Sequence, residues 1–580
     1  MLKIYYDAEC PFCKNFVQYQ KLKKNISDIL LIDIRTDLKT QSKLELLGYN
    51  LNEGMLVEHL GCFYYGADAI HYLAKLSDSK SKFGKINSLI FSSRSRSNII
   101  YPILKFGRKI TLFILNKNNL NPTYPAYKDL HTIFSFFLGI FLILHFGVYN
   151  FQFEKTLYLS TYLIPISGLI LLFRPRDLRV FVFALVVSSI DAILQMPASS
   201  NHTILKNFLL LSMILAGIIS FYFRTGLDGF YKGFSPVGRG LLLCMYFFGV
   251  FHKINTDFLN PEISCTRSLW EQMPFYTSFM GHNFFINIGI YSTLIIETIL
   301  LICLLIPKTR LYSIILGILF HSFLALSGYA IYAPFSTLTI VLHLLFLHPT
   351  QATSIINSPQ WLNISYKINQ PFYASCLLIY IGLLGFLAYN HSYSQFGLLW
   401  LITIIPLLYC ILIKVKIPHQ EYNIQELLIS KPKIFTILSL LFFLNCSTPY
   451  LGLKTAQSMN MFANLQLEGG RNNHLIMKNY EFPYGYLNDV AIIENSEGST
   501  YLNYVKNNNL GIVYYHLLDH LERNRNIKVS FSIKNVNYND ITYAQLSPIQ
   551  KDTLHPRWIR TLFHFNLVDL QRPKRCALDR

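Results

Sequence analysis

Charge is what this sequence has least of. Only 14% of its 580 residues are Asp, Glu, Lys or Arg, against about a quarter in an ordinary soluble domain. Acidic residues are the scarcer kind, with 32 Asp and Glu facing 51 Lys and Arg, a formal net charge of +19. The shortage is local. Residues 1–128 and 451–580 read as ordinary soluble protein, while the stretch between them is a series of apolar runs. One soluble globule is therefore excluded. The basic excess lies beside those runs, which marks membrane topology and argues against nucleic acid as a partner. No secretory leader is expected: Met1 leads straight into the alternating strand Leu2-Lys3-Ile4-Tyr5-Tyr6, without a cationic lead or apolar h-region. The N-terminal domain is expected in the cytosol.

What fills the middle is apolar. Runs of about 20 such residues cross a bilayer, and they occur near 131–149, 157–173, 179–195, 204–223, 239–255, 283–306, 311–329, 331–348, 371–390, 396–414 and 433–450. About eleven spans are expected. With the N-terminus inside, cytosolic loops hold Arg174-Pro175-Arg176 through Arg179, Arg224 through Arg239, Pro307-Lys308-Thr309-Arg310, and Lys414 through Lys433. The opposite loops, 196–203 and 391–395, hold almost no Lys or Arg, as the positive-inside rule requires. An odd number of spans places 451–580 outside. The expected location is a multi-pass protein of the cytoplasmic membrane.

The first motif is Asp7-Ala8-Glu9-Cys10-Pro11-Phe12-Cys13. It follows a strand and opens a helix expected near Pro11–Lys24, with Pro11 in the first turn, where its missing N–H costs nothing. A cysteine there feels the positive end of the helix dipole, which favours the thiolate. Cys10 is the expected attacking sulfur, and Cys13, one turn later, resolves the mixed disulfide. The competing reading is half a zinc site. Only Cys62 lies nearby and no second Cys-x-x-Cys completes four ligands, so redox chemistry is preferred.

Asp7-x-x-Cys10-x-x-Cys13 resembles the signature of the DCC-type thiol-disulfide oxidoreductases, a thioredoxin-like family. Gly61-Cys62-Phe63-Tyr64-Tyr65-Gly66-Ala67-Asp68-Ala69 resembles that family's second motif, a strand running into a helix, and Phe106 through Lys117 its closing helix. The resemblance covers about residues 1–118 and implies protein-disulfide reduction, with Cys10, Cys13 and Asp7 as site residues and a thiol or disulfide protein or small thiol as partner. Before the second motif stands Gly54-Met55-Leu56, without the cis-proline by which thioredoxins grip a peptide.

Ionisable residues inside spans are costly and are functional candidates by default. Asp191, Glu297, His202, His321 and Lys253 are such residues, although Lys253 stands near a span end, where a lysine can snorkel, and a histidine can simply donate to a neighbouring carbonyl. Ser200-Asn201-His202, Phe251-His252-Lys253-Ile254-Asn255-Thr256-Asp257-Phe258 and Phe320-His321 together resemble the vitamin K-dependent gamma-carboxylase-like group, also called the horizontally transferred transmembrane domain. The match runs over about 130–350. It implies Lys253 as the base that deprotonates a reduced quinone, and Asn201, His202, His252 and His321 as substrate-binding residues. The carboxylase has Lys where His252 stands, and its large lumenal substrate-binding region has no evident counterpart.

Residues 451–580 hold strand-like segments at Asp489–Ile493 and Ile527–Ile533 and a helix-like one at Leu510–Arg523. The cluster Glu468-Gly469-Gly470-Arg471-Asn472-Asn473-His474 reads as a polar Gly-Gly turn or a ligand face. Cys265, Cys576 and Cys446 are candidates for a disulfide in an oxidising space. The expected architecture is multi-domain: an N-terminal α/β thioredoxin-like domain (1–118), a carboxylase-like polytopic helical membrane domain (130–350), additional transmembrane helices (351–450) and an α+β or β-rich extracytoplasmic domain (451–580). The expected function is a membrane-bound thiol-disulfide oxidoreductase whose membrane part handles a quinone or another lipid-soluble substrate. The alternative is a transporter or envelope assembly factor with an accessory thiol domain.

Overall fold

A computed structural model describes chiefly residues 2–8, 29–37, 54–76, 89–114, 127–145, 157–196, 200–327, 332–415, 422–546 and 554–570, with isolated positions such as Gln41, Tyr49 and Cys576. Cys10, Cys13 and the helix expected near Pro11–Lys24 lie outside the described residues. The chain forms two compact units, one built from Met1–Ala126 with His348–Thr353, the other from Tyr127–Leu347, Ser354–Val415 and Tyr422–Arg580.

The first unit has a sheet of β1 (Leu2–Tyr6), β2 (Ile29–Asp33), β3 (Leu56–His59) and β4 (Cys62–Tyr65), in the order β2-β1-β3-β4. β1 runs parallel to β2 and antiparallel to β3, which pairs antiparallel with β4. A parallel neighbour needs a crossover of a dozen or more residues, and 7–28 are long enough to supply it. The β3–β4 hairpin turns at Leu60-Gly61, both at positive φ. Leu2, Ile4 and Val57 pack against α1 (Ala67–Leu76), whose Ala69, Ile70, Leu73 and Ala74 recur at helical spacing. Helix α2 (Arg94–Ile114) closes the unit. This small α/β sheet has the strand order and directions expected of a thioredoxin-like domain.

In the second unit, α3 (Lys128–Leu144), α4 (Leu159–Phe173), α5 (Leu178–Leu194), α6 (Asn201–Tyr222) and α7 (Gly226–Lys253) follow in sequence. After a short α8 (Cys265–Glu271) come α9 (Asn283–Leu305), α10 (Arg310–Ala325) and α11 (Tyr332–Leu344). Then come α12 (Pro349–Ile356), of which only residues 354–356 belong to this unit, α13 (Pro359–Ile368), α14 (Pro371–Tyr389), α15 (Tyr393–Lys414), α16 (Ile424–Leu428) and α17 (Thr436–Ser447). Their caps follow the sequence: Ser200 accepts from Thr203 N–H ahead of α6, and Ser358 from Trp361 N–H ahead of α13, which has Pro359 in its first turn.

Six described helical segments are long and apolar enough to cross a membrane, or seven if α11 and α12 count as one broken span. The expectation of eleven is not met by that count. At about 1.5 Å per residue, α4 with 15 residues and α10 with 16 fall short of a ~30 Å hydrocarbon core.

Two expected loop cations are not loop residues. Helix α7 starts at Gly226, so Arg239 lies inside it, 1% exposed, and donates to the carbonyls of Leu345, Glu426 and Leu427. Its guanidinium also lies 4.3 Å from the Tyr422 ring centroid. Arg310 opens α10, equally buried, and donates to the carbonyls of Leu304, Leu305 and Tyr422. Carbonyl acceptors replace the water that a buried guanidinium loses.

The C-terminal segment carries an antiparallel sheet in the order β8-β7-β5-β6-β9, with β5 (Val490–Glu497), β6 (Leu510–Val513), β7 (Lys528–Ile533), β8 (Val536–Ile541) and β9 (Val568–Asp569). Helices α18 (Thr500–Asn507) and α19 (Tyr514–Arg523) bury Leu502, Val505, Leu517 and Leu521 against Ala491, Ile493, Val529 and Phe531. The helix expected over Leu510–Arg523 is thus a strand followed by a helix: Leu510–Val513 pairs with β5 and β9 as an almost wholly buried strand before the helix begins at Tyr514. The segment is α+β, as expected. Cys265 is disulfide-bonded to Cys576 with Cα atoms 4.9 Å apart, and Cys446 is a free buried thiol.

Candidate functional site

Asp7 directly follows β1, just ahead of the Cys-x-x-Cys motif, and is 2% exposed. Arg35, two residues beyond β2, grips both of its oxygens, at 2.6 and 3.2 Å. Asp33 takes the N–H groups of Ala8 and Arg35. The chain entering the motif is thereby tied to the neighbouring strand by a bidentate charged pair and a shared carboxylate. Nothing about Asp7 alone marked Arg35 as its partner. At Gly54-Met55, where a thioredoxin would carry its cis-proline, the Met55 carbonyl accepts from Gly66 N–H at 3.0 Å. The Tyr101 hydroxyl occupies the space a Cβ on Gly54 would need.

In the second unit Lys253, in the last turn of α7, donates to both carboxylate oxygens of Glu297 on α9, each at 2.7 Å. Both are buried, at 7% and 9% exposure. Gly249, one turn before Lys253, leaves room for the carboxylate, since a Cβ there would lie 3.2 Å from Glu297 Oε2. Glu297 and Lys253, weighed as separate candidates in the sequence, thus form one pair.

His321 on α10 belongs to a second cluster. Tyr246 Oη lies 2.9 Å from His321 Nε2 and 3.1 Å from Nε2 of His343, a residue on α11 that the sequence reading did not single out. His343 Nδ1 meets the Thr339 carbonyl at 2.7 Å. A carbonyl only accepts, so a neutral His343 carries its proton on Nδ1 and accepts the Tyr246 hydroxyl proton at Nε2. Tyr246 Oη then accepts from His321 Nε2–H. The unprotonated nitrogen of His321 is Nδ1, which is buried and has no hydrogen-bond partner among the described residues. The chain of partners thus leaves one buried proton acceptor open. Gly317 on α10 admits the His343 ring, which a Cβ there would strike.

His252 and Asn201 are brought together, though not around an open space. His252 Nε2 donates to the Ser458 carbonyl at 2.9 Å, and Nδ1 accepts from Tyr450 Oη at 2.7 Å. Asn201 Oδ1 accepts the next peptide N–H, that of Met459, at 2.7 Å. They grip a segment in which Gln457, Met459, Phe462 and Asn464 all have φ between 52° and 59°. Such non-glycine conformations persist only where the surroundings impose them. The restraints include Asn445 Nδ2 on the Gln457 carbonyl, Asn255 Nδ2 on the Ala463 carbonyl, and Asn464 Oδ1 accepting from Cys265 N–H. Phe462 stacks on Tyr332 with centroids 5.3 Å apart.

His202 lies elsewhere, its ring 5.3 Å from that of His145, which in turn meets Lys206 Nζ at 3.0 Å. Lys206, one turn after His202, is 4% exposed and was not among the sequence candidates. Asp191 accepts from Ser160 and Thr161 on α4, a packing contact between α4 and α5. Burial pushes the Lys454 ammonium down to about 8. His474 is held below the usual histidine range, first by burial. Its Nε2 donates to the Phe251 carbonyl, and its Nδ1 accepts from the N–H groups of Ile476 and Met477. In the cluster at 468–474, Glu468 is 1% exposed and Arg471 donates to the carbonyls of Asp569 and Leu570. Gly469 and Gly470 supply the positive-φ turn.

The family model for DCC1-like thiol-disulfide oxidoreductases matches residues 4–110. The chain therefore carries a thiol-disulfide oxidoreductase domain, followed by helices apolar enough for a membrane. No curated protein matches the chain, and no solved structure does.

Proposed function

We propose that this protein is a membrane-bound protein-disulfide reductase whose dithiol, Cys10 and Cys13, is joined to a gamma-carboxylase-like membrane domain that removes a proton from a lipid-soluble substrate. The match over residues 4–110 carries the thiol half. Cys10 attacks a disulfide as the thiolate, and Cys13 displaces it from the mixed disulfide. Asp7, fixed by Arg35, positions the strand end from which the motif departs.

The membrane half rests on the open Nδ1 of His321 together with the Lys253–Glu297 pair. A reduced quinone fits these residues, since it is lipid-soluble and its hydroxyl is a donor for that acceptor; when bound, it would supply an ionisable proton. His321 would accept the hydrogen bond. Lys253 would take the proton once its own has passed to Glu297 along their existing hydrogen bond. Tyr246 and His343 hold the His321 tautomer. Asn201 and His252 would shape the site through the segment they grip, and His202 through the neighbouring His145–Lys206 cluster.

The Cys265–Cys576 disulfide supports placing these residues and the C-terminal domain on the oxidising, extracytoplasmic side, with the dithiol in the cytosol. The transporter reading is also served by a buried Lys–Glu pair, because such pairs line proton paths. Lys253→Ala separates the two: the proposed enzyme loses turnover and still binds quinone, whereas in a transporter no quinone dependence is present to lose. Mass spectrometry of lipids and quinones retained by the purified protein identifies the ligand class.

A further inference from the structure

At the end of α4 and the start of α5 the chain turns through Arg174-Pro175-Arg176-Asp177. This turn and α13 flank an open cavity of about 680 Å³ lined by Arg174, Arg176, Asp177, Trp361, Ser365 and Tyr366, with both arginines exposed at its rim. The size is that of a small-ligand site. Helix α13 is pinned by Trp361, 8% exposed, whose ring meets Phe136 of α3 at 5.5 Å. Its other face shows Leu362 and Tyr366 at 53% and 67% exposure. A short helix with one buried aromatic and an exposed apolar and phenolic face suits the plane of a membrane interface.

The charge in this cavity is unevenly satisfied. Asp177, the single carboxylate in the lining, is held by the Arg179 side chain and backbone N–H. Arg174 and Arg176 have no ion-pair partner among the described residues. Two uncommitted guanidinium groups with the Ser365 hydroxyl and the Tyr366 phenol form a donor set for phosphate oxygens. The exposed Leu178 beside the turn and Leu362 on α13 offer apolar surface for chains attached to that phosphate.

We propose that this cavity is a binding site for the phosphate headgroup of an anionic membrane lipid, engaged by Arg174 and Arg176, with its acyl chains along Leu178 and Leu362. The site is separate from the Lys253–Glu297 and His321 clusters and does not depend on their chemistry.

The test uses the full-length protein in nanodiscs of phosphatidylcholine with and without phosphatidylglycerol, read by native mass spectrometry after release from the disc. Wild type should retain phosphatidylglycerol. The double variant Arg174→Gln, Arg176→Gln should retain roughly 25-fold less, about fivefold for each arginine. Arg179→Gln, whose guanidinium serves Asp177, should retain it like wild type. Equal retention by the double variant and wild type would overturn the proposal. So would glycerol phosphate, which lacks acyl chains, binding as tightly as the lipid, because the site would then belong to a free phosphate ligand. Circular dichroism of the double variant checks that its helices are intact. If Arg179→Gln loses the lipid equally, a diffuse charge effect is at work and the proposal fails.

Discussion

Lys253 and Glu297 are 44 residues apart in sequence and share two hydrogen bonds of 2.7 Å between α7 and α9. Removing one partner leaves the other charge buried, at a cost of about 3–5 kcal/mol. Glu297→Gln should therefore lower the unfolding temperature markedly, and Lys253→Met with Glu297→Leu should restore most of it. Thermal unfolding in detergent reads both variants. A neutral effect of Glu297→Gln alone would mean the pair is not formed.

Tyr246→Phe removes the hydroxyl that joins His321 to His343 and leaves two buried ring nitrogens without a partner. Each unpaired group costs about 1–3 kcal/mol, and the tautomer of His321 is no longer fixed. The variant should lose both stability and quinone-dependent turnover, measured by calorimetry and by a single-turnover assay. Unchanged turnover would remove His321 from the proposed proton path.

His474 ties the C-terminal segment to the Phe251 carbonyl as a neutral ring, because its Nδ1 accepts two N–H bonds. Burial lowers its pKa, so as pH falls through the ordinary value of about 6.5 the unfolded chain takes up the proton first. The stability that His474 contributes is present above that pH and is lost on acidification. His474→Gln should flatten this part of the stability–pH curve, followed by urea unfolding at successive pH values.

Orientation is checked through the disulfide. On intact cells, a membrane-impermeant maleimide should label Cys576 only after reduction, and should leave the exposed Cys62 untouched until the cells are opened. Labelling of Cys62 on intact cells would reverse the proposed topology.

Much of this was legible in the sequence where the signal is local. The alternation of Leu2–Tyr6 and the strand-to-helix run at Cys62–Leu76 follow from neighbours within a few residues. Glu297 and Lys253 were marked because charge inside an apolar run is conspicuous. Their pairing was not, since it depends on how α7 and α9 pack. Arg239 read as a loop cation because its acceptor at Leu345 lies 106 residues away. His343 gave no signal beyond being a histidine in an apolar run. The left-handed residues at 457–464 were hidden because none is glycine. Only the side chains that grip them explain their backbone.

The central claim is a nucleophilic thiol at Cys10, and the most direct measurement is the pH dependence of its alkylation in the reduced full-length protein, with Cys10→Ser as the blank. The account predicts an alkylation midpoint at or below about 7.5, as for thiols at helix N-termini, and a mixed disulfide trapped on Cys10 in the Cys13→Ser variant. A midpoint near 8.5, the value of a free thiol, with no trapped species, would contradict it.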